Sequence, residues 1–131
     1  MQKVKDVIQR ENILFHTKDK VSDALQLMKD KCVNGAPVVD EEGKLAGMIV
    51  KADIYRFMMD PGHLLSYTLD LVMTKDVVFA RPEDTLPRVA QIISDKDVIA
   101  LPIVDEDNIV IGMITIQDLL KAFIQNCKEM H

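Results

Sequence analysis

The chain repeats itself. A shift of 65 residues lays Gly35-Ala36-Pro37-Val38-Val39-Asp40-Glu41 on Ala100-Leu101-Pro102-Ile103-Val104-Asp105-Glu106. It also lays Gly47-Met48-Ile49 on Gly112-Met113-Ile114, and Asp53 on Asp118. No gap is needed from Val7/Val72 to Ile54/Leu119, and about 14 positions in that span are identical. A period this long, present twice, excludes a solenoid array. It predicts two copies of a small α/β motif that share an interface, because a half of this size buries too little surface alone. Repeat one is expected over residues 1–60, a linker over 61–65 and repeat two over 66–131.

Composition narrows the function. An apolar fraction of 48% with no Trp predicts an aliphatic core. A net charge of −5 and the lack of a basic stripe argue against nucleic acid as partner. Cys32 and Cys127 are far apart, with no CxxC and no His at metal spacing, so they read as buried or half-buried thiols in a reducing compartment. No signal pattern and no apolar run of about 20 residues is seen, so a soluble, cytoplasmic chain without membrane contact is expected.

Each repeat reads β-α-β-β-α after a short opening helix. In repeat one the opening helix covers Val4 to Ile8 and a strand covers Ile13 to Phe15. Asp19 is expected to cap a helix with Val21, Ala24, Leu25 and Met28 on one face. Asn34-Gly35 reads as its left-handed stop. Ala36 to Asp40 is a buried strand, Glu41-Glu42-Gly43 a hairpin turn and Lys44 to Val50 the returning strand. Gly47 within it marks a close approach of another group. A helix over Lys51 to Met58 closes the repeat. In repeat two the same order predicts a helix over Ser66 to Met73, a strand over Val77 to Ala80, a helix capped by Asp84 running to about Asp95, strands over Ala100–Val104 and Ile109–Thr115, and a helix from Ile116 to about Lys128.

Chemistry concentrates at the last strand–helix joint, Gly112-Met113-Ile114-Thr115-Ile116-Gln117-Asp118. A hydroxyl and a carboxylate three apart at a helix start have two readings. One is a cap, with Thr115 at the N-cap and Asp118 at N3. The other is a nucleotide site, with Asp118 accepting from a ribose diol while Thr115 and helix N–H groups face a phosphate.

Two copies of hxxxxPVVD followed by Gxhhxxx-Asp resemble a tandem pair of CBS (cystathionine β-synthase) domains, a Bateman module, from about Val4 to Ile124. The joint in repeat two is similar to the G-h-h-T/S-x-x-D signature at every position. The resemblance implies an α/β (α+β) fold of two CBS repeats packed with pseudo-two-fold symmetry, whose three-stranded sheets leave two clefts. It implies adenosine compounds as ligands: AMP, ADP, ATP, S-adenosylmethionine, NAD-type molecules or cyclic di-AMP. Asp118 would hold the ribose and Thr115 the phosphate. Thr74, Asp76, Val77, Val78, Ile99, Ala100 and Pro102 would surround the base, although Val78 and Pro102 also read as ordinary core.

Repeat one departs from the signature. Val50 stands where a Thr is expected, while Asp53 still offers a second, weaker ribose site. The lost neutral hydrogen bond is worth about 1 kcal/mol, so repeat two is expected to bind first. Lys51 reads either as a substitute phosphate contact or as a solvent-facing lysine. Asn34 reads as a turn residue or a base contact. Lys75, Arg81, Arg10 and His16 lie near the first strands, as phosphate contacts or as plain exposed charges. His63 and His131 carry no partner pattern.

The leading expectation is a non-catalytic sensor that needs no cofactor and signals occupancy to an unidentified regulated protein. The resemblance also implies a homodimer, through Ile54, Phe57, Met58, Leu119, Leu120, Phe123 and Ile124. The alternatives are a scaffold or interaction module without ligand, or a regulatory piece of a larger enzyme or transporter. The start at Met1 and the charged closing helix lean toward a stand-alone protein. No catalytic set and no metal set appears at usable spacing.

Overall fold

A computed structural model describes residues 2–8 and 13–129. Arg10 and His131 lie outside the described residues. The elements run α1 (Val4–Val7), β1 (Phe15–His16), α2 (Val21–Asp30), β2 (Gly35–Val39), β3 (Leu45–Val50), α3 (Lys51–Met59), a 3₁₀ turn (Leu69–Leu71), α4 (Leu86–Lys96), β4 (Ala100–Val104), β5 (Val110–Thr115) and α5 (Ile116–Glu129). Two compact units result: Ile13–Val77, and Met1–Asn12 joined with Val78–His131. The sequence repeats and the compact units therefore divide the chain at different places.

In the first unit β2 lies between β1 and β3, parallel to β1 and antiparallel to β3. Val21, Ala24, Leu25 and Met28 recur at helical spacing and are buried, so α2 lays one apolar stripe on the sheet. Phe15, Val38, Ile49, Ile54 and Leu69 complete this core. Thr74 exchanges two backbone hydrogen bonds with Met48, 2.9 Å each, along the outer edge of β3. A Cβ on Gly47 would lie 2.5 Å from the Thr74 carbonyl oxygen. That is the close approach expected at this glycine. Because Met48 turns its backbone toward Thr74, Pro37 opposite it costs the ladder no bond.

In the second unit β4 and β5 form a two-stranded antiparallel sheet, extended by a parallel bridge from Ala80 to Ile103. The strand expected over Val77–Ala80 reduces to that single bridge. Val4, Leu86, Val89, Ile93, Leu101, Ile103, Ile114 and Leu119 form the core.

The opening segments are exchanged between units. Val4 and Lys5 N–H donate to the Asp84 and Pro82 carbonyls, and Leu86 N–H donates to Gln2. Sixty-five positions on, Leu69 and Asp70 donate to Asp19 and Thr17, and Val21 donates to Tyr67. Residues 65–70 are therefore held against residues 17–22 by backbone hydrogen bonds. The helix expected over Ser66–Met73 shrinks to the 3₁₀ turn Leu69–Leu71.

Helix ends differ from expectation in the same way in both repeats. Asp19 does not cap α2: its carboxylate accepts from His16 N–H at 2.9 Å, and Lys20 at the N-cap makes no side-chain cap bond. Asp84 likewise accepts from Arg81 N–H, and Thr85 caps α4 by accepting from Arg88 N–H. The left-handed residues are Cys32 (φ 56°) and Asp97 (φ 53°), not Asn34-Gly35; Gly35 opens β2. Cys32 and Cys127 are free and exposed, contrary to the buried thiols expected. The hairpins match closely. Asp40 accepts from Glu42 and Lys44 N–H, and Asp105 from Asp107 and Ile109 N–H.

Candidate functional site

α5 starts directly where β5 ends. Thr115 Oγ1 accepts from Asp118 N–H at 3.1 Å, and Asp118 Oδ2 accepts from Thr115 N–H at 2.9 Å. This reciprocal arrangement is a capping box with Asp in place of Glu. It fixes both side chains at the helix N-terminus, where the dipole favours negative charge. The cap does not exhaust either group. A carboxylate offers roughly four lone-pair sites and a hydroxyl keeps its O–H donor. Both residues are half-buried, so solvent still reaches them.

Two more predicted residues join them. Ala100 lies directly opposite Thr115 in the β4–β5 ladder. The Ile99 carbonyl accepts from Ile116 N–H at 3.1 Å, and the Ile99 side chain is 54% exposed. Ile99, Ala100, Thr115 and Asp118 therefore form one cluster: an apolar side chain, a small residue, a hydroxyl and a carboxylate. Pro102 is buried within β4 and its carbonyl accepts from Ala80 N–H. Val78 packs against the core. Thr74, Asp76 and Val77 belong to the other compact unit. Thr74 has its backbone N–H and C=O committed to Met48 and keeps an exposed side chain; Asp76 is exposed and Val77 half-buried.

Repeat one carries the same frame with different chemistry. Lys51 N–H donates to the Asn34 carbonyl at 2.9 Å, the counterpart of the Ile116–Ile99 bond. The Asn34 side chain is exposed and Lys51 is half-buried. Val50 takes the N-cap of α3 and makes no side-chain cap bond. Asp53 sits at N3, and Arg56 Nη2 donates to its Oδ1. Sequence reasoning missed Arg56, although an Asp–Arg spacing of three on a helix is the signal for such a pair.

The other basic candidates are engaged elsewhere or exposed. Arg81 donates to the Asp105 carbonyl at 2.6 Å and lies 5.5 Å from the Phe79 ring centroid. His16 and Lys75 are exposed. His63, for which no partner was expected, stacks on Phe57 at 4.0 Å and donates through Nδ1 to the Phe57 carbonyl at 2.8 Å. Tyr67 packs edge-on to the same Phe57 ring. Among the described residues no cluster of three or more His, Cys, Asp or Glu could hold a metal. No helix among them is long and apolar enough to cross a membrane.

On α3 and α5, Ile54 and Leu119 are buried in the cores of their own units, so neither can face a second chain as expected. The exposed apolar residues of these helices are Tyr55, Met58 and Met59, and Ile116, Leu120, Phe123 and Ile124.

These features define an α+β protein of two homologous repeats, each feeding a β-hairpin into a helix with an Asp in its first turn. The chain belongs to the CBS domain family: the family model matches residues 4–60 and 69–125. Such a domain pair is a regulatory module, generally non-catalytic. The chain is similar to the CBS domain pair of protein MJ0100, solved in complex with 5′-methylthioadenosine and S-adenosyl-L-methionine. The two are 27% identical with a TM-score of 0.85, over 95% of this chain and 98% of that one. It is also similar to CBSX2 in complex with AMP, at 25% identity and a TM-score of 0.84, over 94% and 96% of the two chains. Homoserine O-acetyltransferase of Methanohalobium evestigatum is 35% identical over 99 residues, which are 76% of this chain and 19% of that enzyme.

Proposed function

We propose that the chain is a non-catalytic regulatory module that binds an adenosine-containing ligand through Thr115 and Asp118 and passes its occupancy to a partner protein. The observation that carries this reading is the fixed pair at the start of α5, set beside Ile99 and Ala100. Asp118 has acceptor capacity for both hydroxyls of a ribose. Each charge-assisted bond is worth roughly 1.5–3 kcal/mol, enough to decide whether a nucleoside stays bound. The Thr115 hydroxyl and the positive end of α5 suit a phosphate. AMP in one structural relative, and S-adenosylmethionine and 5′-methylthioadenosine in another, support the ligand class. Thr74, Asp76, Val77, Val78, Ile99, Ala100 and Pro102 are proposed around the base, and Asp53 as the weaker ribose site. A cytoplasmic location fits the same reading.

The test is a thermal-shift panel of AMP, ADP, ATP, S-adenosylmethionine, NADH and cyclic di-AMP. A ligand at 100 times its Kd should add about 2.7 kcal/mol. Asp118→Ala should remove most of that gain. A second reading, a scaffold without ligand, is favoured by Val50 and by the Arg56 hold on Asp53. A panel in which nothing raises Tm would select it.

A further inference from the structure

Gly35 and Val50 are partners across the β2–β3 ladder, as Ala100 and Thr115 are across β4–β5. Directly opposed residues share one face of a sheet. A Cβ added to Gly35 would lie 2.8 Å from Val50 Cγ1 and 3.2 Å from the Ile49 carbonyl oxygen. Gly35 has no left-handed φ, so its lack of a side chain serves packing and not backbone freedom. Val50 therefore fills with a methyl the space that the Ala100 side chain takes in repeat two. Thr115 turns its hydroxyl to the helix start, whereas Val50 has none to turn. The two mismatches between repeats are one exchange, read at both ends of a cross-strand pair.

We propose, resting on the adenosine reading above, that Gly35 and Val50 form a matched pair that sets the ligand class of repeat one. That class is an adenosine compound with an uncharged, apolar 5′ group rather than a 5′-phosphate. A phosphate beside the Val50 methyls loses water and gains no side-chain hydrogen bond from that residue, so it is held less well there than beside Thr115. An apolar 5′ substituent loses nothing there. Of the nearby cations, Arg56 is paired with Asp53, and Lys51 is half-buried at the first position of α3.

The test is calorimetry with 5′-methylthioadenosine and AMP in an Asp118→Ala background, which silences repeat two. The background should bind 5′-methylthioadenosine about fivefold tighter than AMP, the size of one hydrogen bond or one buried methyl group. Adding Gly35→Ala with Val50→Thr rebuilds the repeat-two pair and should invert the preference. Gly35→Ala alone should lower Tm and weaken 5′-methylthioadenosine. If it fails to fold, Val50→Thr alone should still shift the preference toward AMP. Tighter AMP binding in the background, or a preference unmoved by either Val50 variant, overturns the proposal. If wild type binds AMP through Asp118 while the background binds neither probe, only this inference falls. If wild type binds neither probe, the adenosine reading falls with it.

Discussion

Thr115 and Asp118 form the cap that is one of the two readings open in the sequence, and the cap leaves room for the proposed ligand site, because the two use different lone pairs and donors of the same groups. Their pattern was legible from spacing alone. The Gly35–Val50 contact was not, because it joins residues at opposite ends of a hairpin and shows only once the register is known. Arg56 was missed because an i,i+3 ion pair reads as ordinary surface charge until its carboxylate partner matters. A second residue with an environmental consequence is Asp70. Lys18 Nζ donates to its Oδ2 at 2.8 Å and Thr68 donates to its Oδ1, and these bonds, Lys18 first, hold its pKa below the ordinary value. A carboxylate lowered on folding contributes stability above its unfolded pKa and loses it as pH falls through the folded one. Acid titration of Tm should therefore show a loss in the range below the ordinary aspartate pKa that Asp70→Asn flattens. An identical acid limb in both proteins contradicts this.

Periodicity located α2, α4 and α5 because each lays an apolar stripe on a sheet, and the PVV strands because they are buried. It failed where backbone partners came from far along the chain. The helix expected over Ser66–Met73 is carried over from the opening helix of repeat one, yet the N–H groups of Leu69 and Asp70 go to Asp19 and Thr17, and Leu65 and Tyr67 carbonyls receive the first N–H groups of α2. That supply also explains why α2 needs no side-chain cap, and why an Asp one residue too early was free to close a turn. Cys32 ends α2 in the left-handed region, where a side chain costs roughly 1–2 kcal/mol. Cys32→Gly relieves that strain and gives back part of it in unfolded-state entropy. The variant should be more stable by about 0.5 kcal/mol. Denaturant midpoints read the difference, and a lower midpoint for the variant contradicts the assignment.

For the whole chain, the repeat was legible but the exchange of opening segments was not, since identity between copies says nothing about which copy each segment joins. Val4 is fully buried in the core built by residues beyond Val78. Val4→Ala should cost about 2 kcal/mol in chemical denaturation, a core-sized penalty for a residue near the terminus. A cost near zero would mean that the opening segment is not held there. Homodimerisation is proposed through Met58, Met59, Leu120, Phe123 and Ile124, all exposed on α3 and α5. Light scattering should report twice the chain mass, and Leu120→Glu should return it to the monomer; a wild-type monomer sinks that proposal. Asp118 as a ribose acceptor is the centre of the proposed function, and calorimetric titration of AMP into wild type and Asp118→Ala reads it directly. Saturable heat in the wild type with at least tenfold weaker binding in the variant is expected. Equal affinity in the two proteins, or no heat in either at millimolar AMP, contradicts it.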